Sequence, residues 1–340
     1  MSQEFDARIF ADICTMLGIG TPRKEATPVT GGLLHRLWRI ETDCGIFAVK
    51  VLNPEIMSRP SAPQNYRNSE RVARAAKNCG VQAVTARTVG DDPWMEINGT
   101  YIMVFDWQEG RTLQAYECTA KDARKIGRIL FQIHELDIKI EGLSPAIWSG
   151  ISEETWLNHI DKACCAVSCW GVSPKSLLDD ALVWSHQYKD AACELEKRMV
   201  ISHGDLDPKN VIWDDKGAPF VIDWESAGYV NPTVELIEAA INWSRNQDDS
   251  ADKSRFQAVI EGYVRAGGLL HGTVLNGIYG SMGGMLGWLE YNMRRSVDEK
   301  VFDDHEKDVG QREVKQTVRH LKEFSESVYE YAQWIDEISG

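Results

Sequence analysis

Apolar positions in the first third of the chain change their period three times. Phe5, Ile9, Phe10, Ile13 and Leu17 recur at helical steps and predict an amphipathic helix ended by Gly18 and Gly20. The next stretch, PVTGGLLHRLWRIETDCGIFAVKVL, alternates in two runs joined at Asp43-Cys44-Gly45, which reads as two antiparallel strands and a turn. Lys50 falls near the end of the second run. Residues 64–78 return to helical spacing, include Glu70 and close at Gly80. Short apolar runs at Ala83 to Val89 and Tyr101 to Phe105 follow, with Asn98-Gly99 as a turn between strand-like segments. The pattern predicts a small sheet with a helix beside it.

From Leu113 onward the spacing is helical, as in ARKIGRILFQIHELD, and one strand-like insert between Val200 and Asp223 interrupts it. The change of texture at residues 106–112 divides the chain into a strand-rich part, 1–105, a connector, 106–112, and a mainly helical part, 113–340. The expected class is α+β with two lobes, and 340 residues are enough for a cleft between them.

Charge narrows the partners. The chain has 51 acidic and 37 basic residues, a formal charge of −14, which opposes binding to a phosphate backbone and favours cationic ligands. Nucleic acid is not an expected partner. The start, MSQEFDARIF, has acidic residues where an export signal would have basic and then apolar ones, so a cytoplasmic location is expected. Ala266 to Leu289 contains no Asp, Glu, Lys or Arg, but its eight glycines with His271, Asn276 and Ser281 make it a helical stretch for close packing in a core, not a membrane span. Eight scattered cysteines, including Cys164-Cys165 and Cys169, read as free thiols, because no second paired cluster completes a zinc site.

The densest chemistry lies in VISHGDLDPKNVIWDDKGAPFVIDWESAG, residues 200–228. Val211-Ile212-Trp213 and Phe220-Val221-Ile222 flank the turn Asp214-Asp215-Lys216-Gly217, so this hairpin brings Asn210 and Asp223 to the same end. An amide oxygen and a carboxylate meeting there suit Mg²⁺, which takes hard oxygen ligands and completes its shell with water and phosphate. Asp205 stands five residues before Asn210, in a loop that Gly204 allows to bend tightly.

These residues resemble the aminoglycoside phosphotransferase and choline kinase family, which has the protein-kinase-like fold. His203-Gly204-Asp205-Leu206-x-Pro208-x-Asn210 followed by Val221-Ile222-Asp223-Trp224-Glu225 is similar to its two chemical motifs. The resemblance covers roughly residues 28–296 and leaves the two ends unplaced. It implies a small β-rich N-terminal lobe and a larger, mainly helical C-terminal lobe. It also implies transfer of the γ-phosphate of ATP or GTP to a hydroxyl, with Asp205 as catalytic base and Asn210 and Asp223 as Mg²⁺ ligands. Gly31 and Gly32 would lie in the nucleotide-covering loop, Lys50 would meet the phosphates and Glu70 would hold Lys50. The adenine or guanine ring would bind backbone groups around Phe105, Asp106 and Trp107.

The resemblance suggests acceptor contacts from Trp288, Glu290 and Tyr291 in GWLEYNMRRS. Helical spacing puts Trp288 and Tyr291 on one face and Glu290 elsewhere. Two positions depart from the family pattern: Asp207 and Lys209 replace a His and a Gly in the catalytic loop. Asp207 is expected to pair with Lys209, bind metal or face a cationic substrate, and Lys209 to form an ion pair or meet the transferring phosphate. His203 is expected to support the loop. The acidic balance favours a cationic acceptor, an aminoglycoside-type antibiotic or an amino alcohol. A neutral metabolite or macrolide is the alternative acceptor, and a nucleotide-binding pseudoenzyme scaffold is the alternative from another class. A protein kinase does not fit, since Asp-Phe-Gly, Ala-Pro-Glu and the segment between them are missing.

Overall fold

The computed structural model describes residues 7–29, 35–140, 142–143, 150–165, 170, 173–297 and 304–339. They fall into two compact units. The first comprises Met1–Glu117, Gln132–Ser144 and Ile201–Tyr229, the second Cys118–Phe131, Pro145–Val200 and Val230–Gly340.

In the first unit the alternation seen in the sequence becomes a five-stranded antiparallel sheet. Its strands are β1 (Thr27–Val29), β2 (Arg36–Thr42), β3 (Gly45–Val51), β4 (Met95–Ile97) and β5 (Thr100–Asp106), in the order β1-β2-β3-β5-β4. Period-two alternation sends Phe47, Val49 and Val51 of β3 to one side and Lys50 to the other. Helix α1 (Ala7–Leu17) packs Phe10, Ile13 and Cys14 against Phe47, Val49, Ile102 and Val104. Each large apolar side chain buried there stabilises the unit by about 1.5–3 kcal/mol. On the Lys50 side, α2 (Pro54–Met57) and α3 (Ala62–Asn78) bury Met57 and Tyr66 with Met103 of β5, the residue paired with Lys50.

The run Ala83 to Val89 is not a strand. It makes single bridges, Ala83 to Val221 and Ala86 to Phe105, because side chains of α3 take the Ala86 backbone: Glu70 accepts its N–H at 2.8 Å and Arg74 donates to its carbonyl. The strand that reaches the Asn98-Gly99 turn is β4, and both turn residues have positive φ, 51° and 76°, as that tight turn requires.

The unit also holds β6 (Arg111–Thr112), β7 (Val200–Ser202, whose first residue belongs to the second unit), β8 (Val211–Trp213), β9 (Pro219–Val221) and β10 (Gly228–Val230, whose last residue belongs to the second unit). β8 and β9 form the expected hairpin in the register Val211 to Val221, with Asp214 Oδ1 accepting the N–H groups of Lys216 and Ala218 in its turn.

The second unit is helical: α4 (Ala120–His134, all but its last turn), α5 (Glu153–Cys165), α6 (Pro174–Leu195), α7 (Pro232–Ser244), α8 (Lys253–Arg265), α9 (Val274–Gly280), α10 (Met282–Val297) and α11 (Asp304–Ser339). Trp156, Trp170, Trp243 and Phe256 are fully buried in it, and the indole N–H groups of Trp156 and Trp170 donate to Ser185 and Ser296. The uncharged stretch breaks into α9 and α10, where a Cβ on Gly277 would meet Ile237 and Thr233 and one on Gly283 would meet Tyr188. Among the described residues no helix is long and apolar enough to cross a membrane. Of the charged stretch 298–315, residues 304–315 lie in α11, a 36-residue helix packed along α10, and 298–303 lie outside the described residues. Cys14, Cys44, Cys79, Cys118, Cys164 and Cys193 are unbridged, while Cys169 and the side chain of Cys165 lie outside the described residues.

Candidate active site

The loop between β7 and β8 turns on Gly204, whose φ is +77° and whose missing Cβ would come within 2.4 Å of the Ser226 carbonyl oxygen. No other side chain fits that approach. His203 beside it is fully buried: its Nδ1 accepts the Asp205 N–H at 3.2 Å, and Nε2 donates to the Ile222 carbonyl at 3.0 Å. It thus links the loop to the strand end before Asp223 and has no ring nitrogen left to act as a base.

Asn210 closes the loop. Its side-chain amide nitrogen donates to the Asp205 backbone carbonyl at 2.8 Å and to Asp205 Oδ2 at 2.9 Å, and the Asn210 backbone carbonyl accepts the Ile222 N–H at 2.9 Å. With the amide nitrogen committed to Asp205, the other end of the Asn210 side chain is the oxygen, the atom a hard cation would use. Asp223 follows one residue beyond Ile222 with φ and ψ both 60°, a left-handed conformation that aspartate tolerates better than most residues.

The two departures in the catalytic loop meet each other. Lys209 Nζ lies 3.2 Å from Asp205 Oδ2 and 3.4 Å from Asp207 Oδ2, so Asp207 takes the first of its three expected roles and Lys209 forms an ion pair. Burial and the Asp207 charge push the Asp205 carboxyl up to about 6, against the Lys209 charge and the Asn210 hydrogen bond, which pull it down.

Lys50 reaches the same region from β3. Its ammonium donates to Asp223 Oδ1 at 2.8 Å and forms an ion pair with Glu225 Oε1. Burial pushes its pKa down, but the Glu225 and Asp223 charges outweigh that and raise it. Glu70, expected to hold Lys50, instead faces Ala86 and Arg74, with its Oε1 3.1 Å from Arg74 Nε. The acidic partner that sequence reading missed is Glu225, which also lies 3.0 Å from His35 Nε2 and 3.5 Å from the Tyr66 hydroxyl. Burial pushes the Glu225 carboxyl up, yet the His35 hydrogen bond and the Lys50 charge overcome it and hold it at about 2. Its place in Asp223-Trp224-Glu225 was the available signal. A lone His35 carried none.

Phe105 and Asp106 end β5. Asp106 pairs with Arg87 at 2.8 Å, and the Trp107 N–H already donates to the Ile46 carbonyl at 3.0 Å. Gly31 and Gly32 lie outside the described residues. In the second unit Trp288 and Tyr291 stack with centroids 5.7 Å apart, and Trp288 is 46% exposed. Glu290 turns to His159, with Oε1 2.8 Å from Nε2. Among the described residues no group of three or more His, Cys, Asp or Glu side chains could hold a metal ion, so a metal here would rely on a small donor set of the Asn210 and Asp223 kind.

A loop carboxylate, an amide and carboxylate pair on one hairpin and a lysine from a neighbouring sheet are the residue types that a kinase-like phosphotransferase, an enzyme that moves phosphate onto a hydroxyl, draws on. A family model described as "Phosphotransferase enzyme family" matches residues 25–269, and the chain belongs to that family. A search of curated proteins by sequence finds no match. Among solved structures the fold is similar to that of a spectinomycin phosphotransferase in complex with ADP and spectinomycin, at 14% identity and TM-score 0.68, covering 95% of this chain and 99% of that one. It is also similar to a macrolide 2'-phosphotransferase from Brachybacterium faecium (13% identity, TM-score 0.58, 91% and 97% covered). A choline kinase from Cryptosporidium parvum shares it as well (12% identity, TM-score 0.58, 97% and 99% covered). At these identities the likeness is one of fold.

Proposed function

We propose that this phosphotransferase moves the γ-phosphate of ATP or GTP onto a hydroxyl of a cationic small molecule in the cytoplasm, with Asp205 as base. The observation that carries the reading is the Asn210 side chain, whose nitrogen fixes Asp205 and whose oxygen is left at the end of the hairpin where Asp223 begins. An oxygen-only pair of this kind fits Mg²⁺, which keeps several waters and binds phosphate oxygens besides one or two protein groups. Bound there by Asn210 and Asp223, the ion would neutralise phosphate charge. Lys50 meets the non-transferred phosphates. Asp205 orients the acceptor hydroxyl and takes its proton late, after the bond to phosphorus has begun to form. Phe105, Asp106 and Trp107 line the base of the nucleotide, although the Trp107 N–H is committed to Ile46.

ATP is the better supported donor, since the spectinomycin phosphotransferase of similar fold was solved with ADP. The charge of −14 and the exposed Trp288 and Tyr291 stack support a cationic acceptor; Glu290, committed to His159, drops out of that proposal. A neutral acceptor has one observation in its favour: Arg294 already sits 5.6 Å over the Tyr291 ring. The test is a screen of aminoglycosides, amino alcohols, amino sugars and macrolides for acceptor-stimulated ADP or GDP release. A cationic hit whose KM rises with salt supports the reading, because screened charges bind less well. A neutral preferred acceptor overturns the cationic part. Absence of Mg²⁺-dependent nucleotide binding overturns the whole.

A further inference from the structure

Lys50 has two acidic partners, Asp223 and Glu225, and neither is on the neighbouring helix; with Asp223 assigned to the metal, Glu225 is the one left to the lysine. Glu225 reaches it, and the groups that place Glu225 come from separate parts of the first unit. His35 stands just before β2. Its Nδ1 accepts the Asn53 N–H at 3.0 Å, which leaves Nε2 as the protonated nitrogen of a neutral ring, and that N–H points at Glu225 Oε2 3.0 Å away. Tyr66 of α3 approaches the same carboxylate with its hydroxyl, and the α3 hydroxyl of Ser69 donates to the Glu225 carbonyl at 3.4 Å.

The imidazole is itself held. Tyr66 packs edge-on to it at 6.5 Å, and Trp94 packs edge-on to Tyr66 at the same distance, so a row of three rings fixes the histidine plane. The His35 side chain is 6% exposed, which keeps water from competing for the hydrogen bond. One oxygen of Glu225 therefore answers to His35 and Tyr66, and the other to Lys50.

We infer that Glu225 is the residue that holds the phosphate-facing lysine in this chain, and that His35 is a positioning residue that aims Glu225 at it. Glu70 is released from that task and serves to bind the Ala86 backbone. This rests on the proposed function, in which Lys50 meets phosphate. The arrangement makes a demand on position 35 that bulk alone does not meet: the side chain must donate to Glu225 while accepting from the backbone of Asn53.

The experiment titrates Mg·ATP and Mg·GTP into the intact wild-type chain and into H35L, H35Q, E225Q, Y66F and E70Q by calorimetry, with melting temperatures as the check on folding. Losing a hydrogen bond to a charged group that aims the lysine should raise Kd at least about tenfold in H35L and E225Q. H35Q, which retains a donor for Glu225, should stay within about threefold of wild type, and so should E70Q. This rescue by glutamine distinguishes positioning from mere filling of space, since leucine also fills it. A folded H35L with wild-type Kd overturns the inference, as does an E70Q that loses as much affinity as E225Q. Should H35L fail to fold, the E225Q and E70Q pair decides alone, and a weakened Y66F adds support. A wild-type chain that binds neither nucleotide overturns the phosphotransfer reading itself and this inference with it.

Discussion

Replacing Glu70 by glutamine separates a strut of the fold from a partner of Lys50. The Glu70 carboxyl is buried, accepts the Ala86 N–H at 2.8 Å and has Arg74 Nε at 3.1 Å. Burial pushes it up to about 7 from an ordinary 4.5, against the pull of the Ala86 hydrogen bond and the Arg74 charge. The folded state therefore holds this proton more tightly than the unfolded one does. The stability this contributes is fully present below the unfolded pKa and is lost as pH rises through the folded one, at about 7. A difference of that size corresponds to about 3 kcal/mol as an upper figure. Glutamine keeps an acceptor for the Ala86 N–H and has no charge to desolvate, so E70Q should be more stable than wild type by about 1–3 kcal/mol at pH 8 and by much less at pH 5. Urea unfolding of both proteins at half-unit steps from pH 5 to 8.5 measures this. If E70Q is destabilised at pH 8, or differs from wild type by the same amount at every pH, Glu70 is ionised beside an attracting cation and the reasoning fails.

Three other outcomes follow from the site. Asp223→Ala should abolish Mg²⁺-dependent nucleotide binding in calorimetry, while Asn210→Ala should only weaken it, because aspartate brings the charge of the donor pair. Asp205→Asn should bind nucleotide normally and lose about two to four orders of magnitude in turnover with any acceptor; in the wild type, turnover should fall as pH drops below about 6, where the base becomes protonated. Gly204→Ala should lower stability by at least about 1–3 kcal/mol in denaturant, since the methyl group meets the Ser226 carbonyl and the backbone has positive φ; unchanged stability would show that the two loops are free to part.

What was legible in the sequence was local. Helix α1, strands β2 and β3, helix α3 and the β8 to β9 hairpin follow from periodicity and turn chemistry, and the base loop follows from the spacing between Asp205 and Asn210. The run from Ala83 to Val89 looked like a strand because its apolar pattern is strand-like, while the groups that occupy the Ala86 backbone sit on a different element. The Lys50 partner is hidden from the sequence for a related reason: two carboxylates, Glu70 and Glu225, lie on segments 155 residues apart in the chain, and only folding decides which one the ammonium meets. Helix α11 is harder to see in the sequence, although Val314, Val318, Leu321, Val328 and Tyr331 are spaced at three, four and seven residues and are all buried. The resemblance ended before it, and the charged residues around 298–315 masked the period.

The left-handed backbone at Asp223 narrows which residues suit that position. A non-glycine residue held there costs the fold on the order of 1 kcal/mol, whereas glycine would relax the backbone at no steric cost and asparagine would suit it comparably well. Glycine or asparagine at position 223 would therefore keep the backbone at no extra cost while removing the carboxylate. Of the residues that suit this backbone, aspartate alone brings a negative charge, so what stands at position 223 is the choice a cation site would favour and backbone ease alone would not.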